Sequence, residues 1–347
     1  MFPAQALAEE MLARGWRVKL SSDSRGLRYA GGFPAEVPRR ALSAATFARG
    51  GIAAKLAAPF KIIGGIIEAA QWFTHDRPAV VAGFGGYPAL PALAAAVYKK
   101  IPSLIHEQNG VLGRVNRVFA SRVDALACGV YPPSNAPKGA KLVDMGNPLR
   151  AAAFALKDAP YAPPGEGPLN VLVFGGSQGA SVFANLIPAA LAALPDGLAP
   201  RIRLTQQVRP AELAAVSAIY KSAGVDAELA EFFDDMPRRI VDAQLVICRS
   251  GASTMAELTG IGRPAILIPY PAAMDDHQTA NARPLADAGG AVLAQEAGLT
   301  GAGLAGHIAR ILTDPAEATR MAGAAKGLGR PDAADRLADL VENLAQT

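Results

Sequence analysis

Short apolar runs alternate along this chain with longer stretches of helical periodicity. Residues 79–82, 103–105 and 125–128 in the first half, and 171–174, 245–248 and 265–268 in the second, are near-continuous apolar segments of strand length. Residues 17–20, where Val18 and Leu20 alternate with Arg17 and Lys19, read as a further strand, while 181–194 carries the spacing of a helix. Strands buried on both faces and separated by helices cannot pair as hairpins, so the pattern predicts parallel sheets wrapped by helices. Pro160-Tyr161-Ala162-Pro163-Pro164-Gly165-Glu166-Gly167-Pro168 interrupts both periodicities. The expected organisation is therefore an N-terminal domain over 1–158, a linker over 159–168 and a C-terminal domain over 169–347, whose last helix is free to pack back on the first domain. Two doubly wound α/β domains facing a cleft are the simplest architecture. One element is out of place: such a domain normally opens on a central strand and its phosphate loop, whereas this chain opens on a helix with Pro3 in its first turn. The first domain is expected to lack its first strand.

Composition narrows the function. The chain has 347 residues, 51% of them hydrophobic, enough for two cores and too apolar for disorder. Cys128 and Cys248 each lie in an apolar run, which suits a reduced cytoplasmic protein with inert core thiols. No apolar stretch reaches the length of a membrane span, and the start lacks the basic-then-apolar order of a signal peptide. The net charge of +4 hides an asymmetry, because residues 1–150 hold 19 Lys and Arg against 9 Asp and Glu. Within that basic half, residues 47–73 carry Ile52, Leu56, Phe60, Ile62, Ile63, Ile66, Ile67, Trp72 and Phe73 among Arg49, Lys55 and Lys61. Burial and charge attraction act together on such a segment at an anionic membrane surface. An amphipathic helix packed on a sheet would show the same pattern; the basic half favours the membrane, with Ile52, Leu56, Phe60, Lys61 and Ile63 as its patch. Nucleic acid is not expected, since the cations are not interleaved with stacking aromatics.

Three glycine-rich turns border helices: Gly83-Phe84-Gly85-Gly86-Tyr87, Gly175-Gly176-Ser177-Gln178-Gly179-Ala180 and Arg249-Ser250-Gly251-Ala252-Ser253-Thr254. Glycine lets backbone approach a ligand, and a helix start offers unpaired N–H groups to a phosphate, so such turns suit diphosphates. Each could equally be a tight strand-to-helix turn without a ligand. Glu257 follows on the helix after the third turn, where a carboxylate can accept from a pair of sugar hydroxyls. Asp275-Asp276-His277-Gln278, with Asn281, and His106-Glu107-Gln108-Asn109 both follow apolar strands. That places them at the carboxyl ends where open α/β sheets bind ligands. The four histidines are scattered and no Asp-x-Asp triplet occurs, so neither a zinc site nor a metal-held nucleotide is expected.

Taken together, Gly175 to Ala180, Phe233-Asp234-Asp235-Met236, Cys248-Arg249-Ser250-Gly251-Ala252 and His106 to Asn109 resemble the MurG family along essentially the whole chain. These are the N-acetylglucosaminyltransferases that convert lipid I to lipid II in peptidoglycan synthesis. The resemblance implies a GT-B fold of two Rossmann-like domains, no cofactor, and a peripheral place on the inner face of the cell membrane beside other cell-wall synthesis proteins. UDP-N-acetylglucosamine (UDP-GlcNAc) would be held mainly by the second domain, and lipid I would approach the first from the membrane. It implies that Ser177 contacts the donor diphosphate and that Phe233 lies along the uracil. Ala252, Ser253, Thr254, Met255, Ala256 and Glu257 would hold phosphate and ribose, and Gln278 the GlcNAc hydroxyls. Asn109 and Arg150 match donor or cleft positions, and Gly83, Gly85, Gly86 and Tyr87 form the acceptor diphosphate loop. Phe233 departs from the aliphatic residue expected there. The larger departure is at the front, where the family has a strand and then Gly-Gly-Thr-Gly-Gly-His before a Phe-Pro pair. This chain begins Met1-Phe2-Pro3, so Met1 is expected to be an internal methionine. The catalytic base is then unassigned, with the upstream histidine preferred and His106 or Glu107 the candidates within the chain. A UDP-GlcNAc 2-epimerase, another GT-B lipid glycosyltransferase and a non-catalytic sugar-nucleotide-binding partner are the competing readings.

Overall fold

The computed structural model describes residues 1–44, 52–176 and 179–346, the side chains of 52–56 excepted. The chain divides into two compact units, Met1–Arg150 with Asp332–Thr347, and Ala151–Pro331. The first unit runs α1 (Phe2–Ala13), β1 (Leu20–Ser22), β2 (Arg39–Ala41), α2 (Ile52–His75), β3 (Val81–Gly83), α3 (Leu90–Tyr98), β4 (Ser103–Glu107), α4 (Arg114–Phe119), β5 (Ala125–Cys128) and β6 (Leu142–Asp144). The second runs α5 (Ala151–Phe154), β7 (Leu169–Phe174), α6 (Val182–Ala192), β8 (Ile202–Gln207), α7 (Leu213–Ser222), β9 (Asp226–Ala230), α8 (Met236–Asp242), β10 (Leu245–Cys248) and α9 (Ala252–Ile261). It continues with β11 (Ala265–Leu267), α10 (His277–Asp287), β12 (Ala291–Leu293), α11 (Gly301–Leu312) and α12 (Pro315–Gly327), before α13 (Ala333–Ala345) returns to the first unit.

The second unit is one parallel sheet in the order β12-β11-β10-β7-β8-β9. Successive side chains of β7 point to opposite faces. Leu169, Val171 and Val173 pack with Phe183 and Ile187 of α6 and Leu304 and Ile308 of α11, while Leu172 and Phe174 pack with Ile240, Met255 and Leu258. The chain moves outward from β7 through β8 to β9, then crosses back to β10. The direction of winding thus reverses between β7 and β10, which makes their carboxyl ends the ligand-binding edge of such a sheet.

In the first unit β3-β4-β5-β6 form a four-stranded parallel sheet, and β1 with β2 a separate two-stranded one. Among the described residues no strand joins β1 to β3. Between them lies a cavity of about 570 Å³, lined by Leu20 and Ser22 on one side, Val81 and Gly83 on the other, and Leu7 and Met11 of α1 beneath. Leu104, Ala125 and Ala127 on one sheet face pack with Leu7 and Met11 of α1 and Leu337 and Val341 of α13. Ile105, Leu126 and Cys128 on the other pack with Leu93, Val115 and Phe119.

The domain limits differ from those expected. Residues 151–158 belong to the second unit, and so does the Pro- and Gly-rich stretch that follows. Its carbonyls are acceptors for fully buried Arg263, which donates to Pro160 O at 2.8 Å and to Val241 O at 2.9 Å. Tyr161 Oη donates to Gln244 O at 2.8 Å. The last helix, which the sequence leaves free to pack back on the first domain, belongs with the first unit, where Arg14 meets Asp339 at 2.6 Å and Glu342 at 2.8 Å.

Candidate functional site

In the second unit three loops leave the carboxyl ends of β7, β10 and β11. After β7 the chain turns at Gly175 and Gly176. A Cβ on Gly175 would lie 2.3 Å from the Gly179 carbonyl carbon, and Gly176 and Gly179 have φ of +82° and +67°, so only glycine permits this turn. Gly175 N donates to Gln207 Oε1 at 3.0 Å, tying the turn to β8. Ser177 and Gln178 lie outside the described residues.

After β10 come Arg249 and Ser250, both buried, then Gly251 in extended conformation as the cap of α9. Of residues 252–257, Ser253 is exposed and Ala252, Thr254 and Ala256 are half-buried, which leaves the first turn of the helix open at this edge. Met255 instead packs into the core beside Leu258. Glu257 is only 4% exposed, so it is not a solvated surface carboxylate.

The third loop leads into α10, whose first turn carries Gln278. Its side-chain Oε1 accepts from Tyr270 N at 2.9 Å, and its main-chain O accepts from Ser250 Oγ at 2.8 Å. Asn281 Nδ2 donates to Ser250 O at 3.0 Å. The loop therefore hangs on the β10–α9 turn. Asp275 and Asp276 sit in left-handed conformation, φ of 52° and 51°, and Asp276 accepts from Thr279 Oγ1 at 2.7 Å. Adjacent non-glycine residues in this region are costly and persist only where their surroundings fix them.

Phe233 follows β9. Its ring is 5% exposed and lies under the Arg239 guanidinium at 4.2 Å, while the neighbouring Phe232 is 62% exposed. Arg239 is itself held by Glu228 and Asp235, at 2.5 and 2.7 Å.

The first unit presents a second polar cluster at the carboxyl ends of β3 and β4. Gly83 ends β3, Gly85 and Gly86 have φ of +81° and +74°, and Tyr87 begins the turn into α3. Beneath Gly85 lies buried Asn116, whose Nδ2 donates to Glu107 Oε2 at 2.7 Å. Both in-chain candidates for a catalytic base are engaged within the fold. Glu107 is buried and accepts from Asn109 N, Asn109 Nδ2, Gly113 N and Asn116 Nδ2, so its carboxylate is occupied in holding the loop. His106 is fully buried, with Nε2 donating to Gly146 O at 2.9 Å and Nδ1 accepting from Gln108 Nε2 at 3.0 Å. Burial holds its imidazole below the ordinary range, and neither nitrogen is available to a substrate. Arg150 lies 5.4 Å from the ring of Phe2.

On α2 the buried line Ala58, Ala69 and Phe73 faces inward, while Phe60, Lys61, Ile63 and Ile67 are exposed. Ile52 and Leu56 have side chains outside the described residues. No helix among the described residues is long and apolar enough to cross a membrane, and no cluster of His, Cys, Asp and Glu there could hold a metal ion. In the sequence Arg249 stands inside a motif that gives it no role, and Tyr270 and Glu296 carry no local signal.

Residues 1–128 match the glycosyltransferase family 28 N-terminal domain, and residues 170–337 its C-terminal domain. A UDP-N-acetylglucosamine--N-acetylmuramyl-(pentapeptide) pyrophosphoryl-undecaprenol N-acetylglucosamine transferase of Paramagnetospirillum magneticum is 48% identical over 347 residues, covering 99% of this chain and 93% of that protein. One of the same name from Chelativorans sp. is 46% identical over 346 residues, covering 99% and 92%. Among solved structures, Acinetobacter baumannii MurG superposes with a TM-score of 0.80 at 31% identity, covering 99% of this chain and 95% of that one. A UDP-GlcNAc 2-epimerase from Neisseria meningitidis gives 0.67 at 12% identity over 99% and 96%, a likeness of fold alone.

Proposed function

This chain belongs to the MurG family of glycosyltransferases, and we propose that it moves GlcNAc from UDP-GlcNAc to the C4 hydroxyl of MurNAc in lipid I, forming lipid II. The observation that carries the donor side is the convergence of three loops on the edge where β7 and β10 wind apart. One is an obligatory glycine turn, one opens the first turn of α9, and one presents Gln278.

In this reading the diphosphate meets Ser177 and the amides of Ala252, Ser253 and Thr254 at the start of α9. Partial positive charge at the helix start stabilises the negative charge that grows on departing UDP. Glu257 accepts from the ribose hydroxyls, uracil lies along the backbone at Phe233, and Gln278 donates its amide NH2 to the GlcNAc hydroxyls. Met255 contributes only its main chain. The acceptor hydroxyl attacks the anomeric carbon from the side opposite UDP, so the sugar inverts. The lipid diphosphate of the acceptor belongs to the Gly85-Gly86-Tyr87 turn of the first unit. Asn109 and Arg150 are the further polar groups of that unit assigned to ligand. The exposed stripe Phe60, Ile63 and Ile67 with Lys61 supports a peripheral membrane contact at an anionic surface.

Incubating the protein with UDP-GlcNAc, with and without lipid I, tests the reading. Disaccharide formation and UDP release that both require lipid I are expected. Epimerised UDP-GlcNAc without lipid I, or donor binding without turnover, would replace it with one of the competing activities.

A further inference from the structure

We propose that Arg249 is a positioning residue that fixes the sugar end of the donor pocket, by clamping the loop that carries Tyr270 and leads to Gln278. The inference rests on the assignment of Gln278 to the donor sugar. Arg249 follows β10 and is 6% exposed. A cation buried this far is costly unless it is paired, and here two carbonyls and a carboxylate face it. Nη1 donates to two consecutive carbonyls just beyond β11, Ile268 O at 3.0 Å and Pro269 O at 2.8 Å. Nη2 lies 2.6 Å from Glu296 Oε2 beyond β12, a charge pair whose angle falls outside that of a hydrogen bond. The guanidinium also lies 5.5 Å from the Phe183 ring of α6 and 5.4 Å from the Tyr270 ring.

Four segments therefore meet on one planar group: the helix after the first loop, the end of β10, the exit of β11 and the stretch after β12. The consequences reach Gln278 by two routes. Fixing the Pro269 carbonyl fixes the peptide that leads to Tyr270 N, the donor to Gln278 Oε1. Ser250, adjacent to Arg249, holds the Gln278 carbonyl. With its oxygen committed to Tyr270, the Gln278 side chain has its NH2 left to donate. The two terminal nitrogens of Arg249 are committed to carbonyls and a carboxylate, so the residue acts on the donor through the loop and not on the diphosphate. Lysine cannot reproduce this arrangement, because a point charge lacks the fork that spans two carbonyls and a carboxylate at once and lacks the flat face that lies against rings.

The discriminating measurement compares two ligands on one protein. Calorimetric affinities for UDP and for UDP-GlcNAc are taken on the wild type, R249K, R249M and E296Q, with thermal melts of each. A misplaced sugar contact should cost UDP-GlcNAc about tenfold in both Arg249 variants and about threefold in E296Q, with UDP affinity unchanged within about twofold. A simple loss of fold would weaken both ligands together. If R249K and R249M do not fold, E296Q, which keeps Arg249 and nearly the same volume, reads the same contrast. Equal loss of UDP and UDP-GlcNAc in a folded variant would make Arg249 a phosphate ligand and overturn the proposal, as would unchanged UDP-GlcNAc affinity in all folded variants. A wild type that binds neither nucleotide would instead refute the donor-site assignment on which the inference stands.

Discussion

Two buried residues carry opposite lessons about charge. Glu257 is buried on α9 near the β10 loop, and in the proposed reading its carboxylate takes the place of the water that the ribose hydroxyls would otherwise hold. Glu257→Ala should weaken UDP binding by about 1–3 kcal/mol, the range for an unmet buried hydrogen bond. Calorimetry showing wild-type UDP affinity would remove Glu257 from the site. His106 is used for its neutrality. Its folded pKa lies below the ordinary 6.5, so on acidification the unfolded state takes up the proton first. The stability it contributes is present above about pH 6.5 and is lost as pH falls below that, by at most about 1.4 kcal/mol per pH unit for one proton. His106→Gln should therefore give a lower melting temperature at neutral pH and a shallower decline between about pH 7 and 5. An unchanged slope would mean that His106 does not set this dependence. Residue-level legibility followed sequence distance. Glu257 and Gln278 stand out in the sequence because each follows a strand-turn signal, while their proposed roles come from the family resemblance. Arg249 was assigned no role because its partners Ile268, Tyr270 and Glu296 are 19 to 47 residues away, and an arginine beside glycine carries no local mark of burial.

Elements with strong periodicity were legible and those defined by pairing were not. β5 and β10 occupy the apolar runs 125–128 and 245–248 that predicted them, since central strands are apolar on both faces. The run at 17–20 overlaps β1 at a single residue, because β1 is set by its partner β2, Arg39–Ala41, whose two arginines conceal a strand. α2 shows how a helix can serve two apolar environments. Ala69 and Phe73 pack against Ala92 and Ala95 of α3 and against Ile101, so one face of α2 is buried chiefly on a neighbouring helix. The opposite face exposes Phe60 by 78% and Ile63 by 54%, more than that packing explains. Replacing both by glutamate should weaken binding to anionic phospholipid vesicles, read by cosedimentation, by about a hundredfold or more, since each lost apolar insertion removes roughly 1.5–3 kcal/mol and each new charge is repelled by the surface. Thermal stability should stay within about 0.5 kcal/mol, as both side chains are already in water. Vesicle binding equal to the wild type would separate this stripe from the membrane.

At the scale of the whole molecule, the alternation of strand and helix foretold two parallel α/β units, but not how the chain's two ends are shared between them. Proline and glycine mark where regular structure stops, not which neighbour a segment packs on, so the stretch ending at Pro168 was taken for a free linker although Arg263 and Gln244 hold it in the second unit. For α13 the sequence offers both its own domain and the first one as partners, and amphipathic spacing alone does not choose between them. The answer bears on stability. Leu337 and Ala338 are fully buried and Val341 nearly so, against Leu7 and Met11 of α1 and the face of β4 and β5. Burial of leucine and valine side chains contributes about 1.5–3 kcal/mol each. The first unit also has a sheet interrupted between β1 and β3, leaving it less able to absorb the loss. Deleting residues 332–347 should therefore lower the melting of the first unit by several kcal/mol while leaving the second near its original transition. Hydrogen exchange read by peptide would show it: faster exchange in Ser103–Glu107 and Ala125–Cys128, and unchanged protection in Leu169–Phe174 and Leu245–Cys248. Loss of protection in the second pair, with the first preserved, would mean that α13 stabilises the unit next to it in sequence and not the one whose core it completes.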